Sequence, residues 1–390
     1  MPYFSFILNH KITVDNPSYL DEFKTNTKYY SKNTKLWSNL SKLSKKDNLI
    51  KLNKEERRSF NKSSQSILFC LPPSIGLGDS IEYALAIKSI SLYYNIINIG
   101  VAHVGRFKEI FENLFKIKNV YDYISEKNLQ SFGTTFHFTL ELEELGNQKY
   151  NRQNIEKLIT SYFKIKNFRE TIYIPRFIKN KKTISIFPIS NSPIRTLPIY
   201  ILNSIIKEFI NIYNIEIFLD KNSIISEYIY NNVIFSDQIK FYDPKNLKDL
   251  ILFIKKIELG IFVDSGPLHL AKIFNIPGIL IVSTVGEDIL LHEFKTISPI
   301  RSNYKSSYCK GPCGLVNAFE YNFNSGCYDS LEIHKKTIIN GKSFNSLQRG
   351  GLKNNYLNLY ISSVNCYKKY DNNKINILIK NKIREKHYER

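Results

Sequence analysis

Apolar residues fall along this chain in short blocks separated by polar turns, and the blocks alternate between two rhythms. Runs of about five apolar residues bounded by Gly, Pro, Ser or Asn read as buried strands. The first, Ile67-Leu68-Phe69-Cys70-Leu71, ends in "PPSIGLGDS" and continues into "IEYALAIKSISLYY". There Ile81, Ala84, Leu85, Ile87 and Ile90 recur at helical spacing. The stretch "NIINIGVAHV" at 95–104 completes a strand–helix–strand unit, and "TTFHFTLELEEL" at 134–145 predicts a further strand. This alternation predicts a parallel sheet with crossover helices.

A second series opens near residue 181, after the charged connector "RFIKNKK". Its strands are "KKTISIFPIS", "IEIFLD", "LGIFVDSG" and "GILIVST". Its helices are "LPIYILNSIIKEFINIY", "NLKDLILFIKKI" and the short "PLHLAKIFN". The pattern therefore predicts an α/β chain with two doubly wound units. The expected divisions are a basic N-terminal extension at 1–62, a first unit at 63–178, a second unit at 179–340 with a Cys-containing loop at 305–330, and a basic C-terminal extension at 341–390. The first 62 residues are polar and Lys-rich, with scattered apolar positions such as Leu36, Trp37 and Leu40. They predict one or two helices laid on a domain.

Composition narrows this picture. A chain of 390 residues has room for two domains, and 43% hydrophobic residues supply a sizeable core. No apolar run reaches the roughly 18 residues of a membrane-spanning helix. The first residues, "MPYFSFILNHKITVDNP", do not read as a secretory leader. Five Cys fit a reducing cytoplasm better than a disulfide framework, and Cys70, inside a predicted strand, is expected to be a buried thiol. The net charge of +20 is concentrated at the ends. Residues 1–62 carry 13 Lys/Arg against 6 Asp/Glu (+7), and residues 341–390 carry 11 against 3 (+8). The ends therefore read either as a surface for an anionic membrane face or glycolipid, placing the protein peripherally on the inner membrane, or as solvated, solubilising termini. No zinc-finger spacing, aromatic RNA-binding signature or basic heptad region is present, so nucleic acid is not an expected partner.

The chemistry sits where strands meet helices. In "IFVDSGPLHLA" a strand delivers Asp264 to the carboxyl edge of its sheet, where open α/β sheets bind ligands. Gly266 allows close approach to the backbone, and Pro267 suits a first helical turn. Ser265 is placed as a cap. Free amides and partial positive charge at a helix start favour a phosphate, and His269 adds a donor nearby. The same residues also make an ordinary strand-to-helix turn, with His269 capping or packing.

"DSGPLHLAKIFNIPGILIVST" resembles the signature of glycosyltransferase family 9, which includes the bacterial ADP-heptose:lipopolysaccharide heptosyltransferases. Asn275 stands where that family commonly has Gly. The resemblance implies a GT-B fold, two Rossmann-like domains facing across a cleft, with the donor nucleotide-sugar mainly on the second. "SIGLGDSIEYALAIKSI" resembles the family's first loop; Gly76 and Gly78 then give an acceptor-side turn, and Asp79 matches the favoured general base. Read without the resemblance, Asp79 is a helix-capping residue. "IFPISNSPIRTLPIY" resembles the first loop of the second domain. There Ser190 and Ser192 would bind phosphate oxygens, and Arg195 would neutralise the leaving diphosphate. Ile189 and Leu197 depart from the family's usual Gly and Trp. The resemblance spans roughly 64–300. It implies inverting, metal-independent transfer to a glycan or glycolipid acceptor such as lipopolysaccharide. A protein acceptor and a non-catalytic nucleotide-sugar-binding protein are the alternatives.

Finally, "CKGPCGLVNAFEYNFNSGC" gathers Cys309, Cys313 and Cys327. With Cys366 or His334 as a fourth ligand they would suit a structural zinc or iron; the alternative is three reduced thiols in a loop.

Overall fold

The computed structural model describes residues 3–16, 19–31, 34–45, 49–55, 60–61, 63–72, 75–138, 154–165, 182–220, 223–305, 312–313, 357 and 360–388. The chain divides into two compact units, Met1–Thr171 and Ile172–Arg390, where the sequence suggested a change at 178/179.

The first unit opens with strands, not the helices expected of residues 1–62. β1 (Tyr3–Leu8) pairs antiparallel with β4 (Tyr29–Ser31) and β5 (Leu49–Glu55), and β2 (Ile12–Asn16) with β3 (Tyr19–Phe23). One helix, α1 (Thr34–Ser44), covers them. Phe4, Phe6, Leu8, Phe23, Leu36 and Leu40 are buried together, so this segment has a core of its own. The physical reason is the alternation Phe4, Phe6, Leu8, which puts three apolar side chains on one face of a strand. The parallel sheet follows. β6 (Ser66–Cys70) lies between β7 (Asn98–Ala102) and β10 (Thr134–His137), and β8 (Asn119–Tyr121) extends the edge, giving the order β10-β6-β7-β8. A two-residue strand, β9 (Ile124–Ser125), joins the antiparallel sheet through β4. α2 (Leu77–Tyr93) follows β6 and is buried along most of its length. α3 (Glu126–Gln130) follows β9, and α4 (Ile155–Tyr162) packs on α2.

The second unit is a six-stranded, wholly parallel sheet. Its strands are β11 (Thr183–Phe187), β12 (Asn214–Phe218), β13 (Ile239–Tyr242), β14 (Leu259–Phe262), β15 (Gly278–Val282) and β16 (Ile297–Arg301), in the order β13-β12-β11-β14-β15-β16. Counted from its own first strand this is 3-2-1-4-5-6, the order of dinucleotide-binding Rossmann folds. Both units thus carry the Rossmann-like parallel sheets expected.

Each face of this second sheet has its own core. Ile184, Ile186, Ile215, Ile217 and Ile261 pack with Ile201, Leu202 and Ile205 of α5 (Ile199–Phe209). On the other face the last residues of four neighbouring strands stack, with ring centroids 5.2 Å apart for Phe262 and Phe187, 4.3 Å for Phe187 and Phe218, and 5.5 Å for Phe218 and Tyr242. After α6 (Ile224–Asn232) comes α7 (Leu247–Ile254), whose Phe253 lies against Phe218 and Tyr242; α8 (Gly266–Ile273) packs beside α7. Glycine at 260 makes this ladder possible, because a Cβ there would stand 2.1 Å from the Phe262 ring. α9 (Glu287–Leu290) lies between β15 and β16.

The described part of the basic C-terminus, 360–388, is likewise not a solvated tail. α10 (Asn365–Lys368) and α11 (Asn372–Tyr388) return to the second sheet, and Tyr360, Val364, Tyr367, Ile375 and Ile379 complete the isoleucine core. Among the described residues no helix is long and apolar enough to cross a membrane.

Candidate functional site at the switch point of the second sheet

β11 and β14 are neighbours in register, Phe187 opposite Phe262, so the loops that follow them leave the same edge side by side. The chain reverses its winding here. α5 follows β11 onto the isoleucine face, and α8 follows β14 beside α7 on the aromatic face. This reversal is where open α/β sheets leave a crevice for ligands.

The β11 loop folds as a tight 3₁₀ turn, Pro193–Arg195. Thr196, fully buried, organises it: its hydroxyl accepts from the Ser190 amide at 3.1 Å and lies 3.0 Å from the Ser192 carbonyl and 3.3 Å from the Ser190 carbonyl. The Leu197 amide closes the loop on the Pro188 carbonyl at 2.8 Å. The two loops are then tied together. Ser190 Oγ donates to the Asp264 carbonyl at 2.7 Å, and an Arg195 Nη donates to Asp264 Oδ2 at 2.8 Å. Both charged side chains are nearly buried, 12% and 9% exposed, so this pair is a fixed part of the site and not a screened surface contact. Arg195 Nε and Ser192 Oγ are buried with no hydrogen-bond partner. A buried polar group left unpaired costs about 1–3 kcal/mol, so a folded protein that keeps two in one loop invites a functional explanation.

β14 delivers Asp264 to the same edge, and α8 starts immediately after it. Ser265 is the N-cap residue in extended conformation, but its hydroxyl donates to the Val263 carbonyl at 3.3 Å and caps nothing. The first turn of α8 therefore lacks a side-chain cap, with Gly266 as its first residue and Pro267 next. An uncapped helix start presents amides and partial positive charge to an anion. His269, 8% exposed, lies one turn in.

Of the residues singled out in the sequence, Ser190, Ser192, Arg195 and Asp264 meet within these two loops, and Ser265, Gly266 and His269 follow on the same chain segment. Ser190 is engaged in tying the loops rather than standing open. Asp79, Gly76 and Gly78 belong to the first unit. There Gly76 caps α2, and the exposed Asp79 carboxylate accepts the Gly76 amide at 2.9 Å, the capping arrangement that was the alternative to a base. Cys309, Cys327 and His334 lie outside the described residues. Cys313 and Cys366 form no disulfide and pack against the isoleucine core, and Cys70 is buried, as its strand position predicted. Among the described residues no group of three or more His, Cys, Asp or Glu is placed to hold a metal ion.

Three residues were missed in the sequence: Thr196, Lys272 and Tyr367. Tyr367, fully buried, donates its hydroxyl to the Arg195 carbonyl at 3.1 Å. Thr196 carried a local signal, a hydroxyl next to the candidate Arg, and Lys272 another, three residues from His269 on the predicted helix; Tyr367 acts through a contact that spacing does not reveal.

No protein-family profile matches the chain, and no curated protein matches it in sequence. Solved structures do resemble it. Escherichia coli ADP-heptose lipopolysaccharide heptosyltransferase II is 12% identical, covering 63% of this chain and 93% of its own, with a TM-score of 0.47. A glycosyltransferase family 9 protein from Veillonella parvula is 9% identical, covering 73% and 98%, also at 0.47. TibC, a dodecameric iron-containing heptosyltransferase from enterotoxigenic E. coli, solved with ADP-D-β-D-heptose, is 10% identical, covering 85% and 81%, at 0.43. At such identities and scores these are resemblances only, and the functional reading rests on the residues themselves.

Proposed function

We propose that the chain is a glycosyltransferase, moving a sugar from a nucleotide diphosphate to a glycan hydroxyl, as in lipopolysaccharide assembly, with inversion at the anomeric carbon. The observation that carries this reading is the Arg195 loop. A nearly buried guanidinium is fixed at the switch point by Asp264, while its Nε and the neighbouring Ser192 Oγ remain unpaired in burial. A diphosphate supplies acceptors for both groups and for the Gly266 amide at the start of α8, where Pro267 has no N–H and the Leu268 amide already donates to the Ser265 carbonyl at 3.1 Å.

The chemistry follows from that placement. An acceptor oxygen attacks the anomeric carbon, the bond from that carbon to the diphosphate oxygen breaks, and the acceptor proton passes to a base. Negative charge grows on the departing nucleoside diphosphate. Arg195, Ser192, the Ser265–Gly266 backbone and His269 receive it, which assigns to side chains and the helix-start backbone the charge-neutralising role that a divalent cation has elsewhere. Asp264 and Ser190 act as positioning residues by holding the two loops together. Asp79 is the base this reading requires from the first unit.

The test is calorimetric titration with ADP-, GDP- and UDP-sugars. One of the three donors should bind the wild type and bind Arg195→Met at least tenfold more weakly, the weight of one charge-assisted hydrogen bond. Equal affinity in both proteins would remove Arg195 from the donor site and the reading with it.

A further inference from the structure

Lys272 lies one turn beyond His269 on α8, and none of its surface is exposed. Lysine is among the residues least often buried, so its surroundings need an account. Its Nζ donates to the Leu290 carbonyl at 2.6 Å, lies 3.2 Å from His269 Nδ1, and stands 5.1 Å from the centre of the Phe294 ring. A carbonyl oxygen, an imidazole nitrogen and a ring face are all electron-rich, which suits an ammonium.

An ammonium has three donors and no acceptor. With Lys272 as an ammonium, the imidazole is the acceptor at the 3.2 Å contact, through an unprotonated Nδ1. A neutral ring that accepts at Nδ1 carries its proton on Nε2. We propose that Lys272 is a positioning residue that holds His269 as the Nε2–H tautomer, so that the ring offers a donor, not a lone pair, at the start of α8. The tautomer is argued from the Lys272–His269 contact. Its use on a diphosphate rests on the donor reading above, where a lone pair turned to phosphate oxygens would repel them.

The two claims separate in one experiment on the full chain labelled with ¹⁵N-histidine. Long-range ¹H–¹⁵N spectra at a pH of about 8, above the ordinary histidine range, report the protonation of each ring nitrogen. The His269 signals are identified by their loss in His269→Gln. The expected result is an unprotonated Nδ1 and a protonated Nε2 in the wild type, retained in Lys272→Arg and averaged between tautomers in Lys272→Met. A protonated Nδ1 in the wild type overturns the proposal, and this outcome needs no variant to fold. An unchanged His269 pattern in a folded Lys272→Met also overturns it. With ADP, GDP and UDP as probes, whichever the wild type binds should bind Lys272→Met about tenfold more weakly, the factor carried by one hydrogen bond of ordinary net strength. If none of ADP, GDP and UDP binds either protein while the wild-type tautomer is as expected, the donor reading fails and the positioning role stands.

Discussion

Two hydroxyl and carboxylate groups separate structure from function most sharply. Ser192 Oγ is buried without a partner, so Ser192→Ala removes a desolvated group and leaves little void. Thermal unfolding of Ser192→Ala should show stability unchanged or raised, by up to about 1–3 kcal/mol, while nucleotide affinity falls. A fall in both would mean that the hydroxyl is structural after all. Asp79 permits an equally clean substitution. Its carboxylate accepts the Gly76 amide at 2.9 Å, a bond that an asparagine oxygen can also accept. Asp79→Asn therefore keeps the cap and removes the base. Turnover should fall by roughly 10²–10⁴-fold, the ordinary weight of general-base catalysis, with the melting temperature and donor affinity preserved. Retained turnover would leave Asp79 as a cap alone. Asp264 shows what a sequence hides at this scale. Its place at a strand end was legible, but its partner Arg195 lies 69 residues away in the chain, and only the pairing of β11 with β14 brings them to 2.8 Å.

At the scale of elements, strands buried on both faces announce themselves as continuous apolar runs, and every strand read in the second series is present. β13, with the pattern Ile239-Lys240-Phe241-Tyr242, and β16, interrupted by Pro299, lie at the two sheet edges, where half-exposed strands lose that signal. The C-terminal segment was read as charge because its 11 Lys/Arg outnumber its 3 Asp/Glu, yet its apolar residues do the packing. Three tyrosines from it reach the site edge: Tyr360 donates to the Leu197 carbonyl, Tyr367 to the Arg195 carbonyl, and the Tyr370 hydroxyl lies between the Val282 and Ile300 carbonyls. Burial raises the pKa of all three above the usual tyrosine value. For an acid whose folded pKa is raised, the stabilising contribution is complete below the unfolded value, near 10, and is lost as pH rises beyond it. The wild type should therefore lose stability steeply above about pH 10, and Tyr367→Phe should lose less there. At neutral pH the same variant should be about 1 kcal/mol or more less stable, because the Arg195 carbonyl loses its buried donor. Denaturant titrations at neutral and alkaline pH read both effects, and a variant whose stability runs parallel to the wild type at all pH values would refute the alkaline claim.

The molecule as a whole consists of two units with separate cores, and the candidate donor site is built entirely from the second. That division makes the proposal testable without knowing the acceptor. A ligand that binds only the native state stabilises it by about 2.7 kcal/mol at a hundredfold excess over its Kd, and the local openings that expose the site loops become rarer in proportion. Hydrogen exchange with and without the nucleotide-sugar selected by calorimetry should therefore slow in peptides covering 188–197 and 263–273. These are the segments tied by Ser190, Arg195 and Asp264, together with the first turns of α8. Lys272 extends the prediction to the Leu290 region, because its ammonium joins α8 to the end of α9 through the Leu290 carbonyl. Ordering of the His269 donor by a diphosphate should thus protect residues near 290 that the ligand does not touch. Protection confined to the α2 loop at 75–80 would place the nucleotide on the first unit instead and would remove Arg195, Ser192 and the Gly266 amide from the donor site together.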